Sequence, residues 1–159
     1  MKQFVLTGAA NNLYLTNKII VPQIKELTLP SRIESVDEAA QTAETFARDH
    51  GMDAEAISAI DLAIRESVAN AVKHGNKFDL EKNVEVVLKS TADFFEILVR
   101  DFGTGFRVDD IPDPTDADHL LRPTGRGLLF IRAFMDEVEW FNHDDGGTVV
   151  RMKKNESRH

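Results

Sequence analysis

The chain contains no cysteine, which excludes disulfides, thiolate metal sites and a catalytic thiol together and fits a reducing compartment. It also lacks a long apolar run. Near the N-terminus Lys2 is followed only by Phe4 to Leu6 before the polar pair Asn11 and Asn12. That is too little for a signal peptide or a membrane span, so the expected location is the cytoplasm. Basic charge is scarce. Nineteen Lys and Arg stand against 27 Asp and Glu, a formal net charge of −8, which opposes nonspecific attraction to nucleic acid or to an anionic membrane. There is no internal repeat and no low-complexity tract. With 159 residues, 42% of them hydrophobic, the chain is long enough for one core and too short for two ordinary domains.

Residues 1–22 show no clear period and end at Pro22; a mobile arm, an extra strand and a partner contact all suit them. One domain is expected over 23–155. From Ile24 to Leu29, Leu27 and Leu29 alternate with polar residues and Pro30 closes the run, which predicts a half-buried strand. Ser35 and Glu38 carry a capping-box signature, and Val36, Ala39, Ala40, Ala43, Phe46 and Ala47 then recur at helical spacing until Gly51. Asp53 is placed to cap a second helix, with Ile57, Ile60, Ile64, Val68 and Val72 as its buried stripe, running to about Lys73. Val84, Val86 and Leu88, then Phe95, Ile97 and Val99, alternate on either side of a turn at Ser90 to Asp93 and predict antiparallel strands.

From Arg107 to Thr124, Pro112, Pro114, Pro123 and several aspartates break any regular pattern; a loop this long is usually functional or mobile. Leu128, Leu129, Ile131, Phe134 and Met135 predict a third helix. Val138 to Phe141 and Thr148 to Met152 predict a closing hairpin turning at Gly146 and Gly147. This order fits an α/β two-layer sandwich, a mixed and mostly antiparallel sheet with helices on one face.

Three short motifs can carry chemistry. On the second predicted helix Glu66, Asn70 and His74 are spaced by four with Lys73 beside them, sharing a face opposite the apolar stripe. The Asn oxygen suits a hard cation such as magnesium and the Glu can orient or deprotonate a hydroxyl, although a solvated helix face shows the same pattern. Asp101 ends an apolar strand and is followed by Gly103 and Gly105. Its carboxylate can accept from an exocyclic amine while the glycines let the backbone approach a flat ring; a plain turn is the alternative. Asp101 to Gly103 also spell the DFG of eukaryotic-type protein kinases, but no HRD loop or Gly-rich loop precedes them. Gly125, Arg126 and Gly127 precede the third predicted helix, where free N–H groups, the helix dipole and a guanidinium favour phosphate. A glycine hinge would look the same. Thr124 and Arg122 are further candidates.

The order of these motifs, with ESVANAVKHG on a helix, DFGTG after a strand and GRGLLFIRAFMDEVEW after a Pro-rich loop, resembles the Bergerat-fold (GHKL) ATPases from Ile24 to Met152. Within them it is most similar to the compact bacterial anti-sigma factor serine/threonine kinases. The resemblance implies ATP and Mg2+ as cofactors, with Glu66 as general base, Asn70 as magnesium ligand, and Lys73 and His74 as nucleotide-side neighbours. It implies that Asp101 binds the adenine amine in a pocket shaped by Gly103 and Gly105, with the Thr148 hydroxyl nearby. Thr124, Gly125, Arg126, Gly127 and Leu128 would hold the phosphates under a lid formed by residues 107–124. A STAS-domain antagonist protein is the implied substrate, a sigma factor the implied partner, and a homodimer the implied assembly, with no direct contact to nucleic acid or membrane. A nucleotide-gated binding module without phosphoryl transfer is the alternative. Two features depart from the family pattern: the arm before Ile24 is long, and Pro123 separates Arg122 from the glycine box.

Overall fold

The computed structural model describes residues 21–105 and 123–156, with side chains of the second stretch described from residue 127 onward. Residues 1–20 of the expected arm and 107–122 of the expected lid, with residue 106, lie outside the described residues. The described elements are β1 (Gln23–Pro30), α1 (Glu34–Asp49), α2 (Ala54–Asn70), a π-helical turn (Ala71–Gly75), β2 (Asn83–Ser90), β3 (Phe94–Arg100), α3 (Pro123–Phe134), β4 (Glu137–Asn142) and β5 (Thr148–Asn155).

The strands form one five-stranded sheet in the order β1-β2-β3-β5-β4, and every pairing among the described residues is antiparallel. The parallel component expected of a mixed sheet is not found there, for a reason of connectivity. Two successive antiparallel helices between β1 and β2 make the chain turn three times, an odd number, so β2 returns antiparallel to β1. The single helix α3 leaves β4 running in the direction of β3, but β5 inserts between them.

The helices cover one face. Alternation in the central strands sends Val84, Val86 and Leu88 of β2, Phe95, Ile97 and Val99 of β3, and Val150 and Met152 of β5 into one core with Ile60, Ile64, Val68 and Val72. Each such side chain, when fully buried, contributes about 1.5–3 kcal/mol. Ala39, Ala40, Ala43 and Ala47 line the buried side of α1, and their small size lets it lie close to α2. No helix among the described residues is long and apolar enough to cross a membrane.

The caps differ. Asp53 caps α2 as its sequence position requires, accepting from the Ala56 N–H at 2.8 Å. At α1 the expected capping box does not form. The helix starts at Glu34, so Ser35 already lies in its first turn, and the Ser35 hydroxyl donates back to the Pro30 carbonyl at 2.7 Å. That bond ties α1 to the end of β1.

Candidate functional site

The motif helix delivers its side chains through a change of helical type. α2 is regular to Asn70, leaving Glu66 and Asn70 half-buried on its flank. The next five residues then form the π turn, closed by the Asn76 N–H donating to the Ala71 carbonyl at 2.8 Å. One extra residue in the turn keeps Ala71 and Val72 in the core while Lys73 and His74 face solvent. His74 is exposed where Glu66 and Asn70 are half-buried. Single π turns of this kind are frequent at functional sites.

At its far end the turn meets the aspartate motif. Gly75 packs so closely on Asp101 that any Cβ at position 75 would overlap the carboxyl group. Asp101 is only 8% exposed. Its Oδ1 accepts from the Gly103 N–H at 2.9 Å and the Thr148 N–H at 3.3 Å, and its own N–H donates to the Thr148 carbonyl at 3.0 Å. Oδ2 accepts no hydrogen bond among the described residues. Burial raises the Asp101 pKa above the ordinary carboxylate value, opposed by those two N–H donors and by the charges of Lys82 and Arg100. One oxygen is thus pinned by backbone and the other is an oriented, buried acceptor suited to an N–H donor on a flat ring. Thr148 stands where the sequence placed it. Gly105 does not line the Asp101 carboxyl; it lies against Asn142 at the end of β4.

The glycine box meets the other end of the motif helix. α3 begins at Pro123, so the backbone of Thr124, Gly125, Arg126 and Gly127 already lies within the helix, not in a loop before Leu128 as the apolar period suggested. Proline is favoured at a first helical position, whereas Gly125 and Gly127 weaken any propensity-based reading there. The first turn still leaves backbone N–H groups without intrahelical partners. Side chains from Arg122 to Arg126 lie outside the described ones. Gly127 is buried, and a Cβ on it would stand 2.5 Å from Glu66 Oε2 and 3.9 Å from Asn70 Nδ2. The structure therefore brings Glu66, Asn70 and Gly127 together, and separately Gly75, Asp101, Gly103 and Thr148. Leu128 is half-buried beside Gly127.

Among the described residues no group of three or more His, Asp, Glu or Cys side chains could hold a metal. A cation at Asn70 would need oxygens from a ligand to complete its shell, which is the habit of magnesium with phosphates.

Sequence reasoning gave no role to Asn76. It is 2% exposed and bonds to Ser31, Asn83 and Phe102. Its only sequence signal is an amide directly after the motif glycine; partners as distant as Ser31 are invisible there.

Comparison with known proteins agrees with this fold. The histidine kinase-like ATPase domain family matches residues 29–154. A serine-protein kinase RsbW of Listeria monocytogenes is 31% identical over 133 residues, covering 80% of this chain and 84% of that protein. An anti-sigma F factor of Clostridium perfringens is 30% identical over 104 residues, covering 63% of this chain and 73% of that protein. Among solved structures, the RsbU and RsbW domains of a Mycobacterium tuberculosis protein share the fold, with a TM-score of 0.63 and 22% identity. That match covers 86% of this chain, which spans 33% of the longer one.

Proposed function

The chain belongs to the histidine kinase-like ATPase domain family, and on that premise we propose an ATP-dependent serine/threonine protein kinase acting as an anti-sigma factor. Its substrate in this reading is a STAS-domain antagonist, its restrained partner a sigma factor, its assembly a homodimer and its setting the cytoplasm. The printed names of the relatives, serine-protein kinase and anti-sigma F factor, support the reading.

The observation that carries the kinase step is the packing of Glu66 against Gly127 with Asn70 alongside. A carboxylate beside the first turns of a helix, where N–H groups point at anions, supports a base that takes the proton of a hydroxyl attacking phosphate bound there. The partner's Ser or Thr oxygen bonds to the γ-phosphorus, its proton passes to Glu66, and the bond to the bridging oxygen breaks to release ADP. Magnesium, held by Asn70 together with phosphate oxygens, would offset phosphate charge. The N–H groups of the first turn of α3, with Arg126, stabilise the transferring group, and Asp101 Oδ2 accepts from the adenine amine. Lys73 and His74, exposed at the π turn, border the nucleotide on the solvent side.

The test is transfer of radiolabelled γ-phosphate to STAS-domain proteins. Wild type should yield phosphoserine or phosphothreonine, and Glu66→Gln should lose roughly 10²–10⁴-fold in rate while binding ATP nearly as well. Equal transfer by Glu66→Gln, or none by wild type to any STAS protein encoded beside it, overturns the assignment.

A further inference from the structure

We propose that Asn76 is a positioning residue that sets selectivity for the adenine base, by fixing the strand end that carries Asp101 against the end of the motif helix. This rests on the reading of Asp101 as the base acceptor.

The whole Asn76 amide is committed. Nδ2 donates to Ser31 Oγ at 2.7 Å and to the Asn83 carbonyl at 2.9 Å, while Oδ1 accepts from the Phe102 N–H at 2.7 Å. These partners follow β1, open β2 and follow β3 respectively, so one buried side chain gathers three strand ends at the terminus of the π turn. Ser31 extends the chain, its hydroxyl donating to the Lys82 carbonyl at 2.5 Å.

The consequence falls on Asp101. Its Oδ1 is fixed by the Gly103 and Thr148 N–H groups, its carboxyl face rests on Gly75, and the N–H of the very next residue is held by Asn76. Gly75 and Asn76 are adjacent, so two consecutive residues lock both the carboxyl and the peptide that follows it. The direction of Oδ2 is then indexed to the same helix that carries Glu66 and Asn70. A base can be read by one hydrogen bond only if the acceptor cannot swing to suit another base.

The residue type follows from the partners. Only a side-chain amide offers two donors and an acceptor in one plane. An aspartate would present an oxygen to the Asn83 carbonyl and to a Ser31 hydroxyl whose proton is already given to Lys82. Alanine leaves the Phe102 N–H and the Asn83 carbonyl without this partner, and the end of β3 is freed.

The experiment compares binding of ATP and inosine triphosphate, which carries an oxygen where adenine has its amine, by calorimetry on the full chain. Wild type should prefer ATP. In Asn76→Ala the preference should fall about tenfold, with inosine triphosphate affinity within about threefold of wild type because the phosphate contacts are untouched. Ile97→Val, a core substitution that lowers the melting temperature without touching this network, should leave the ratio unchanged. If Asn76→Ala does not fold, Ser31→Ala, which removes one of the amide's two acceptors, should lower the ratio in the same direction by a smaller factor. A selective wild type with an unaltered ratio in the folded Asn76 variant, or in Ser31→Ala if that variant stands in for it, overturns the inference alone. An equal fall in Ile97→Val overturns it too, as a general effect of stability. A wild type indifferent to the two nucleotides overturns the Asp101 reading and the inference with it.

Discussion

Gly127→Ala separates stability from phosphoryl transfer, because the two effects of one methyl group have opposite signs here. Glycine inside a helix costs up to about 1 kcal/mol relative to alanine, so α3 gains from the substitution. The new Cβ, however, would stand 2.5 Å from Glu66 Oε2 and 3.3 Å from Cδ, against an ordinary contact of about 3.5 Å. The carboxylate must retreat by about 1 Å. Glu66 is half-buried on a flexible stem, and an off-rotamer side chain costs about 0.5–1.5 kcal/mol. The terms offset to within about 1 kcal/mol, so the melting temperature should move by no more than about 4 °C. Transfer is another matter, since a 1 Å misplacement of a catalytic group can cost about 10²-fold. The assay is single-turnover phosphorylation of the proposed STAS-domain substrate beside a thermal melt, repeated in the Glu66→Gln background, where the alanine should add little because its target is already disabled. A full-rate Gly127→Ala enzyme, or an equal loss in both backgrounds, refutes the reasoning.

Asp101→Asn tests the buried carboxyl. Burial raises its folded pKa above the unfolded one, so its stabilising effect is complete below the ordinary carboxylate range and is lost as pH rises through the folded value. Without nucleotide the variant should therefore melt higher than wild type near pH 7, with the gap closing toward about pH 4, while its ATP affinity falls; a pH-independent gap would contradict the cause assigned to the shift. Gly147→Ala should lower the melting temperature by roughly 6–12 °C, because a Cβ at φ +86° would run into the Asp101 carbonyl, an insertion costing about 3 kcal/mol with the left-handed strain. Gly146→Ala, at φ +97° with open space around it, should lose only the strain, about 1–2 kcal/mol; equal losses in the two would show that the carbonyl contact carries no weight.

Much of this was legible in the sequence because it is written in periods. The stripe from Ile60 to Val72, the alternation in β2 and β3 and the glycine pair before β5 each repeat a signal over several residues, and each element formed where that signal lies. Single events were not legible. The π turn at Ala71 leaves the apolar pattern intact up to Val72, so nothing in the periodicity marks it. Ser35 has the composition of a cap, but the helix starts two residues earlier than that cap would set it, with Ile33 at the N-cap, and the Ser35 hydroxyl donates to the Pro30 carbonyl instead. Of the candidate site, Glu66, Asn70 and Asp101 stand out in the sequence through the ordered set of motifs, since each motif alone also fits a solvated helix face or a plain turn. The contacts that orient them were not legible, because Gly75, Gly127 and Asn76 act through neighbours distant in sequence.

The π turn explains why those contacts can coexist. Glu66 and Asn70 must flank α2 to meet Gly127, while a few residues later the backbone must come close enough for Gly75 to touch the Asp101 carboxyl. Lys73 and His74 within the turn are exposed, and the next two residues, one without a side chain and one with a neutral amide, pack against the end of β3. The Asp101 carboxyl and the Glu66 carboxylate thus meet opposite ends of the motif segment and have different neighbours, Asn76 and Gly75 at one end and Gly127 at the other. Base selectivity and transfer rate should for that reason vary independently: substitutions at Asn76 act on the first and substitutions at Gly127 on the second.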